Sequence, residues 1–318
     1  MKLVITGALG HIGSRWIHTF RSGDFDEVVL IDNLATQRFA SLFNLPAGVK
    51  FRLVEADVCK ADLEELFAGA HAVVHMAAIT NAAGSFEIQD QVEQVNMQGT
   101  ERVARACIAT GARLVFLSTT SVYGTQEAVV AENCGPDELK PQSPYAVSKL
   151  RAEQLLTELG RTHGLKFVTC RFGTIFGTSA GMRFHTAINK FCWQAVLGQP
   201  ITVWRTALDQ KRPYLGLGDA VRALTHILRS DLFDNQVYNV LTMNATVNDI
   251  VGSIRRHIPD LQIEYVDSKI MNQLSYTVAA EKFAATGFRS ADSLEEGIVN
   301  TVTLLGGIRN PRKTAVTR

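Results

Sequence analysis

The stretch KLVITGALGHIGS, residues 2–14, sets a short apolar run directly before Gly7, Gly10 and Gly13 in a T-G-x-x-G-x-x-G pattern. Glycines between a strand and a helix let the backbone turn sharply and approach a pyrophosphate closely. They also aim helix N-terminal amides, here those of His11 and Ile12, at its negative charge. Glycines near a chain start serve ordinary turns too, so the context decides. The triplet opens an expected helix, Ile12 to Phe20, and is followed by VVLIDNL, where Asp32 ends a second strand beside Asn33. A carboxylate there accepts hydrogen bonds from a ribose diol and repels a 2′-phosphate, which predicts NAD rather than NADP. The alternative is an aspartate capping a turn.

Outward from this stretch, LVIT, VVLID, FRLVEAD, AVVHMAA, LVFLSTT and KFVTCRF are short and β-rich, with amphipathic segments between most of them. Repeated βαβ units predict an α/β fold: a Rossmann-like, doubly wound parallel sheet covered on both faces. Asp57 and Val58 after the third strand are expected near the adenine, and Ala77 and Ala78 after the fourth where the cofactor passes the backbone. Residues 1–172 form the expected NAD-binding domain. From residue 173 to 308 we expect mainly a smaller substrate lobe: a loop-rich GTIFGTSAGMRFH, a helix near Thr186 to Leu197, the strand ITVW, a helix near Asp219 to Arg229, then IEYV and a helix around Leu294 to Leu305. Part of it, about 214–245 and including QVYNVL, returns to the main sheet. Residues 309–318 are a basic tail.

With 32 Lys and Arg against 31 Asp and Glu, the net charge of +1 gives no reason to expect nucleic acid or a membrane surface as partner. The five cysteines lack C-x-x-C spacing, which suits reduced thiols, and no metal is predicted. A strand beginning at Lys2 leaves no room for a secretory leader, and no apolar run approaches membrane-spanning length. A soluble, cytoplasmic protein with a small-molecule partner is the expectation.

LVFLSTT ends in hydroxyls, Ser118, Thr119, Thr120 and Ser121, ahead of Val122-Tyr123-Gly124; further on stands Tyr145-Ala-Val-Ser-Lys149. A tyrosine and a lysine four apart share one helix face. A free phenol titrates near ~10, so a neighbouring ammonium and a positive nicotinamide ring would help it act as a base in alcohol–ketone redox chemistry. Strand-end hydroxyls can simply satisfy backbone groups, and Y-x-x-x-K can be a surface pair. In order behind the glycine loop, the Thr–Tyr–Lys set is the stronger reading.

The chain resembles the extended short-chain dehydrogenase/reductase family, and within it the nucleotide-sugar epimerases and dehydratases. TGALGHIG, DNL, the aspartate Asp57, HMAA at His75, N-x-x-G-T from Asn96, LSTTSVYG, SPYAVSK, RFGTIFG and GQPITVW carry the resemblance. It implies bound NAD, Tyr145 as base, Lys149 on the nicotinamide ribose, Thr119 on the sugar oxygen being oxidised, and Asn96 shaping a turn near the site. The 4,6-dehydratases carry T-D-E before V-Y-G, where this chain has Thr119-Thr120-Ser121. The missing carboxylates argue against dehydration and decarboxylation, and DNL is similar to UDP-galactose 4-epimerase. The expectation is a nucleotide-sugar 4-epimerase with a 4-keto intermediate. The rivals are a one-way NAD(P)-dependent oxidoreductase, a dehydratase, and a non-catalytic NAD sensor.

On the substrate side, Thr174 replaces a usual asparagine, and Arg212 stands where the family has a diphosphate-binding arginine. The second family arginine is absent from DSKIMNQL, where Lys269 or Gln273 are the substitutes. Arg183 and His185 in GMRFHT are expected to contact substrate or an anion, the alternatives being solvation and helix capping. Helices around Val92 to Ala109 and Ala146 to Leu159 resemble a four-helix dimer interface, so a homodimer is expected; Val103, Cys107 and Ile108 fit intramolecular core equally.

Overall fold

A computed structural model of the chain describes residues 1–124, 129–266 and 275–307. Seven strands form the central sheet: β1 (Lys2–Thr6), β2 (Glu27–Asp32), β3 (Phe51–Glu55), β4 (Ala70–His75), β5 (Arg113–Thr119), β6 (Phe167–Phe172) and β7 (Val237–Val240). They lie in the order β3-β2-β1-β4-β5-β6-β7, all parallel. The order reverses between β1 and β4, and in an open α/β sheet the crevice beyond the strand ends at this reversal takes the ligand.

The strands are apolar on both faces because both faces are covered. Along a strand alternate side chains point opposite ways. Leu3 and Ile5 of β1 therefore enter one core and Val4 the other. The first core is roofed by helix α1 (His11–Ile17), shorter than expected. The second is roofed by α2 (Gly99–Thr110) and α3 (Pro144–His163). Val103 and Cys107 of α2 are fully buried in this second core, which settles them as intramolecular packing. The expected helix from Val92 is present, but Glu93–Gln98 is wound as a π-helix before α2 begins. Ser143 caps α3, its Oγ accepting the Ala146 amide at 3.2 Å, and Pro144 occupies the first turn.

Beyond β6 the chain adds α4 (Ala187–Val196), α5 (Leu217–Arg229), α6 (Val247–His257) and α7 (Leu294–Leu305). Three of these, α4, α6 and α7, close a separate core around Phe176, Ile201 and Ile254. The strand ITVW forms at Ile201–Trp204 and pairs in parallel with Ile263–Val266. Unlike its neighbours, α5 packs into the first sheet core through Leu224 and Ile227. Thr174–Phe176, within the stretch read as loop, is a strand paired with Tyr214–Gly216. Its partner lies far downstream, so local composition carries no trace of the pairing. The basic tail and positions Lys269 and Gln273 lie outside the described residues.

Candidate active site

At the carboxyl ends of the strands, facing the smaller lobe, lies a cavity of about 1000 Å³. Its floor begins with the glycine turn. Gly7 has φ of 66°, and a Cβ there would stand 2.6 Å from the Ala77 amide nitrogen, so only glycine lets β1 turn against the end of β4. A Cβ on Gly10 would meet only the Gly7 carbonyl, at 3.2 Å, which leaves the side facing the cavity open for a ligand to approach the backbone. Asp32 is fixed by two amides: Oδ2 accepts Leu9 N–H and Oδ1 accepts Leu34 N–H, each at 3.0 Å. Asp57 Oδ1 accepts the Cys59 amide at 2.9 Å. Gly13, His11, Ile12, Asn33, Val58, Ala77 and Ala78 line the same wall, so the expected cofactor residues converge on one trough. An open glycine turn, a carboxylate at the end of β2 and this volume fit a dinucleotide.

Asn96, in the π-helical turn, holds the chain after β4. Its Oδ1 accepts Ile79 N–H at 2.8 Å, and its Nδ2 donates to Ile79 O at 2.9 Å and to Ser148 Oγ at 3.1 Å. The turn beside the cavity is thereby tied to α3, one position from Lys149.

Thr119, Tyr145 and Lys149 all line the cavity. Thr119 Oγ1 accepts Ser121 N–H at 3.1 Å, and the same side chain lowers the Tyr145 pKa. Burial raises the Tyr145 pKa, against the Thr119 hydroxyl and the positive charge of Arg183. Lys149 is engaged with the backbone. Its Nζ donates to Leu117 O at 2.8 Å and sits 4.6 Å from the Phe116 ring centroid. Burial lowers the Lys149 pKa to about 7, opposed by Glu153 one turn along α3.

Glu153 anchors a buried network that residue patterns had not singled out. Its Oε2 pairs with Arg171 Nη2 at 2.7 Å, with both side chains 5% exposed or less, and Ser118 Oγ donates to its Oε1. Arg171 Nη1 donates to the Tyr123 hydroxyl at 2.9 Å, which donates to Asn239 Oδ1 at 2.8 Å. A glutamate four residues after Lys149 is the signal that could have revealed it, since both fall on one helix face.

The substrate side is built from scattered segments. Thr120, Thr174, Arg183, His185 and Arg212 all line the cavity. Thr120 Oγ1 donates to Phe172 O at 3.3 Å. The Arg212 guanidinium lies 5.3 Å from the Tyr276 ring centroid. Partial burial and the charges of Arg183 and Arg38 hold the His185 imidazole at about 4, so it is neutral. Tyr276, Trp204 and Arg38 also border the cavity and were not anticipated. For Arg38 the signal was a cation soon after Asp32; for Tyr276 and Trp204 only the tertiary fold supplies one.

The sequence matches the NAD dependent epimerase/dehydratase family over residues 3–240. It is 29% identical, over 95% of its length, to an Arabidopsis thaliana trifunctional UDP-glucose 4,6-dehydratase/UDP-4-keto-6-deoxy-D-glucose 3,5-epimerase/UDP-4-keto-L-rhamnose-reductase, and spans only 46% of that protein. It is 27% identical to the uncharacterized UDP-glucose epimerase YtcB of Bacillus subtilis, covering 97% of this chain and 99% of that one. The structure superposes on Thermus thermophilus UDP-glucose 4-epimerase in complex with NAD with a TM-score of 0.81 and 26% identity, over 96% and 99% of the two chains. The glycine turn, the Rossmann-like sheet and these matches together make the chain a member of the NAD dependent epimerase/dehydratase family, an extended short-chain dehydrogenase/reductase with NAD as its cofactor.

Proposed function

We propose that this enzyme is a nucleotide-sugar 4-epimerase. One observation carries the reading: among the described residues, the carboxylates lining the cavity are Asp32 and Asp57, beyond β2 and β3, and none stands beside Thr119 and Tyr145. Removing water from a sugar requires a positioned acid and base next to the reacting carbons. Oxidising and re-reducing one carbon does not.

In this reading the Tyr145 hydroxyl oxygen, as phenolate, takes the proton of the sugar C4 hydroxyl and later returns it, while Thr119 hydrogen-bonds the same oxygen. Bound NAD would supply reversible hydride exchange at C4. Lys149 and Asn96 position the cofactor side, with Gly7, Gly10, Gly13 and Asp32 holding the rest of it. Arg212 grips the substrate diphosphate with its planar fork. Thr120, Thr174 and His185 border the hexose, which turns over as a 4-keto sugar so that the hydride returns to its opposite face.

The test is proton NMR of the enzyme with a panel of nucleotide sugars in deuterated water. Conversion of one sugar to its C4 epimer without deuterium uptake or accumulating NADH is the expected result. Loss of water with deuterium at C5 would mean a dehydratase, and stoichiometric NADH change a one-way oxidoreductase.

We also infer a homodimer through α2 and α3. The family resemblance supports it, as does Val147, an apolar side chain 40% exposed on α3. Light scattering should give twice the 34.9 kDa chain. No described helix is long and apolar enough to cross a membrane. The five cysteines are all free thiols, which supports a reducing cytoplasmic setting.

A further inference from the structure

The segment between Gly177 and Thr186 is fastened along the glycine turn. Ser179 Oγ donates to His11 O at 3.0 Å, Gly181 N–H to Ser14 Oγ at 2.9 Å, and Arg183 N–H to His11 Nδ1 at 3.2 Å. Contact is so close that a Cβ on Gly181 would lie 2.5 Å from Leu9 O and 2.8 Å from Gly10 O. Burial, helped by the Arg183 and Arg38 charges, holds the His11 pKa at about 3, so its ring is a neutral acceptor for this strap. From the other side, Asn189 of α4 donates to Arg183 O at 3.0 Å and accepts Gly177 N–H at 3.2 Å. The backbone of Arg183 is thus pinned from both sides.

Its side chain crosses the cavity. Nη1 donates to Thr80 Oγ1, beyond the end of β4, and the buried Nε has no hydrogen-bond partner. Among the described residues no carboxylate pairs with it; the Arg38 guanidinium and the Tyr145 phenol both act on it electrostatically. Arg38 in turn is within electrostatic reach of Asp32. Asp32 marks the adenosine ribose end of the trough and Tyr145 the nicotinamide end. A guanidinium lining this same cavity, carried by a strap hydrogen-bonded to the glycine turn, stands beside the backbone that takes the two phosphates of a dinucleotide.

We propose that Arg183 is the second half of the cofactor's pyrophosphate site, closing over the phosphates from the side opposite the glycine turn. The assignment rests on NAD being the cofactor and holds whichever reaction runs at Tyr145. It removes Arg183 from the substrate-contacting set and makes the strap a device that retains the dinucleotide.

The test is binding of NAD, ADP, adenosine and UDP to the purified full chain and to Arg183→Gln, with the NAD carried through purification measured alongside. A charge-assisted contact predicts that NAD and ADP weaken by about 10–100-fold, with adenosine and UDP unchanged. Gly181→Ala, which alters no charge but lifts the strap, should give the same pattern. UDP weakening while NAD and ADP hold would assign Arg183 to the substrate phosphates and overturn the proposal, as would no change in any ligand. The unmodified chain must itself prefer ADP to adenosine; equal binding overturns the proposal even where a variant fails to fold.

Discussion

The two halves of the cavity are made differently. The cofactor half is backbone: strand ends β1 to β4, a glycine turn, and amides that fix Asp32. The substrate half is side chains, among them Thr174, His185, Arg212 and Tyr276, delivered by segments far apart in the chain. A trough of backbone suits a ligand common to many relatives, whereas a wall of side chains can be exchanged position by position to change the sugar. Between the two stands Tyr145, from a helix that belongs to the sheet.

The largest effect is expected at that boundary. Tyr145→Phe removes the proton acceptor of the proposed mechanism and leaves both halves standing, so turnover should fall by about 10³–10⁴-fold with NAD content and thermal midpoint unchanged. A variant that still turns over sugar would move the base elsewhere.

Next is the buried network that ties α3 to β5, β6 and β7. Glu153→Gln strands the Arg171 guanidinium, which is paired at 2.7 Å and buried. The expected loss is about 3–5 kcal/mol in denaturant unfolding. Arg212→Leu, in the exchangeable half, should instead weaken UDP and leave the unfolding midpoint within experimental error.

The cofactor half also carries a pH signature. His75, bonded to Thr6 at 2.7 Å and Thr100 at 3.1 Å, and His11 both have folded-state pKa values of about 3, each lowered chiefly by burial. Both stay neutral when folded, whereas the unfolded chain protonates them near ~6.5. Stability is full above that pH and falls below it, by at most ~1.4 kcal/mol per pH unit for each histidine until about pH 3. His75→Gln should flatten the slope of unfolding free energy against pH between about 6 and about 4. An unchanged slope would place the acid sensitivity outside His75.

The smallest expected effect is one of preference. Asp32→Ala leaves Arg38 facing the ribose, so NADP should gain on NAD by about tenfold, the scale of one charged contact. Competition between the two dinucleotides measures it.

Much of the cofactor half was legible because its information is local. Runs such as Val28–Ile31 are apolar throughout, as strands covered on both faces must be, and the glycines lie within a few residues of the strand they end. Thr119, Tyr145 and Lys149 could be grouped for the same reason, one ending β5 and two standing four apart early in α3, and all three line the cavity. The strand Thr174–Phe176 was missed because its pairing energy comes from Tyr214–Gly216. Arg183 was noticed, yet its direction depends on Gly181 fitting against Leu9 and Gly10, a contact between distant backbones that leaves only a glycine in the sequence.

One packing arrangement bears on how the chain is made. The Trp16 indole of α1 donates to Thr225 Oγ1 of α5 at 3.1 Å, and Leu3 and Ile5 are covered with the help of Leu224 and Ile227. The glycine turn is therefore synthesised well before its roof α5, Leu217–Arg229, and the edge strand β7, Val237–Val240. Domains generally fold amino-terminal first as they are synthesised. Here the nascent dinucleotide site must wait, its apolar sheet face a natural stretch for a chaperone to shield, and a fragment released at residue 172 would carry that face into aggregation.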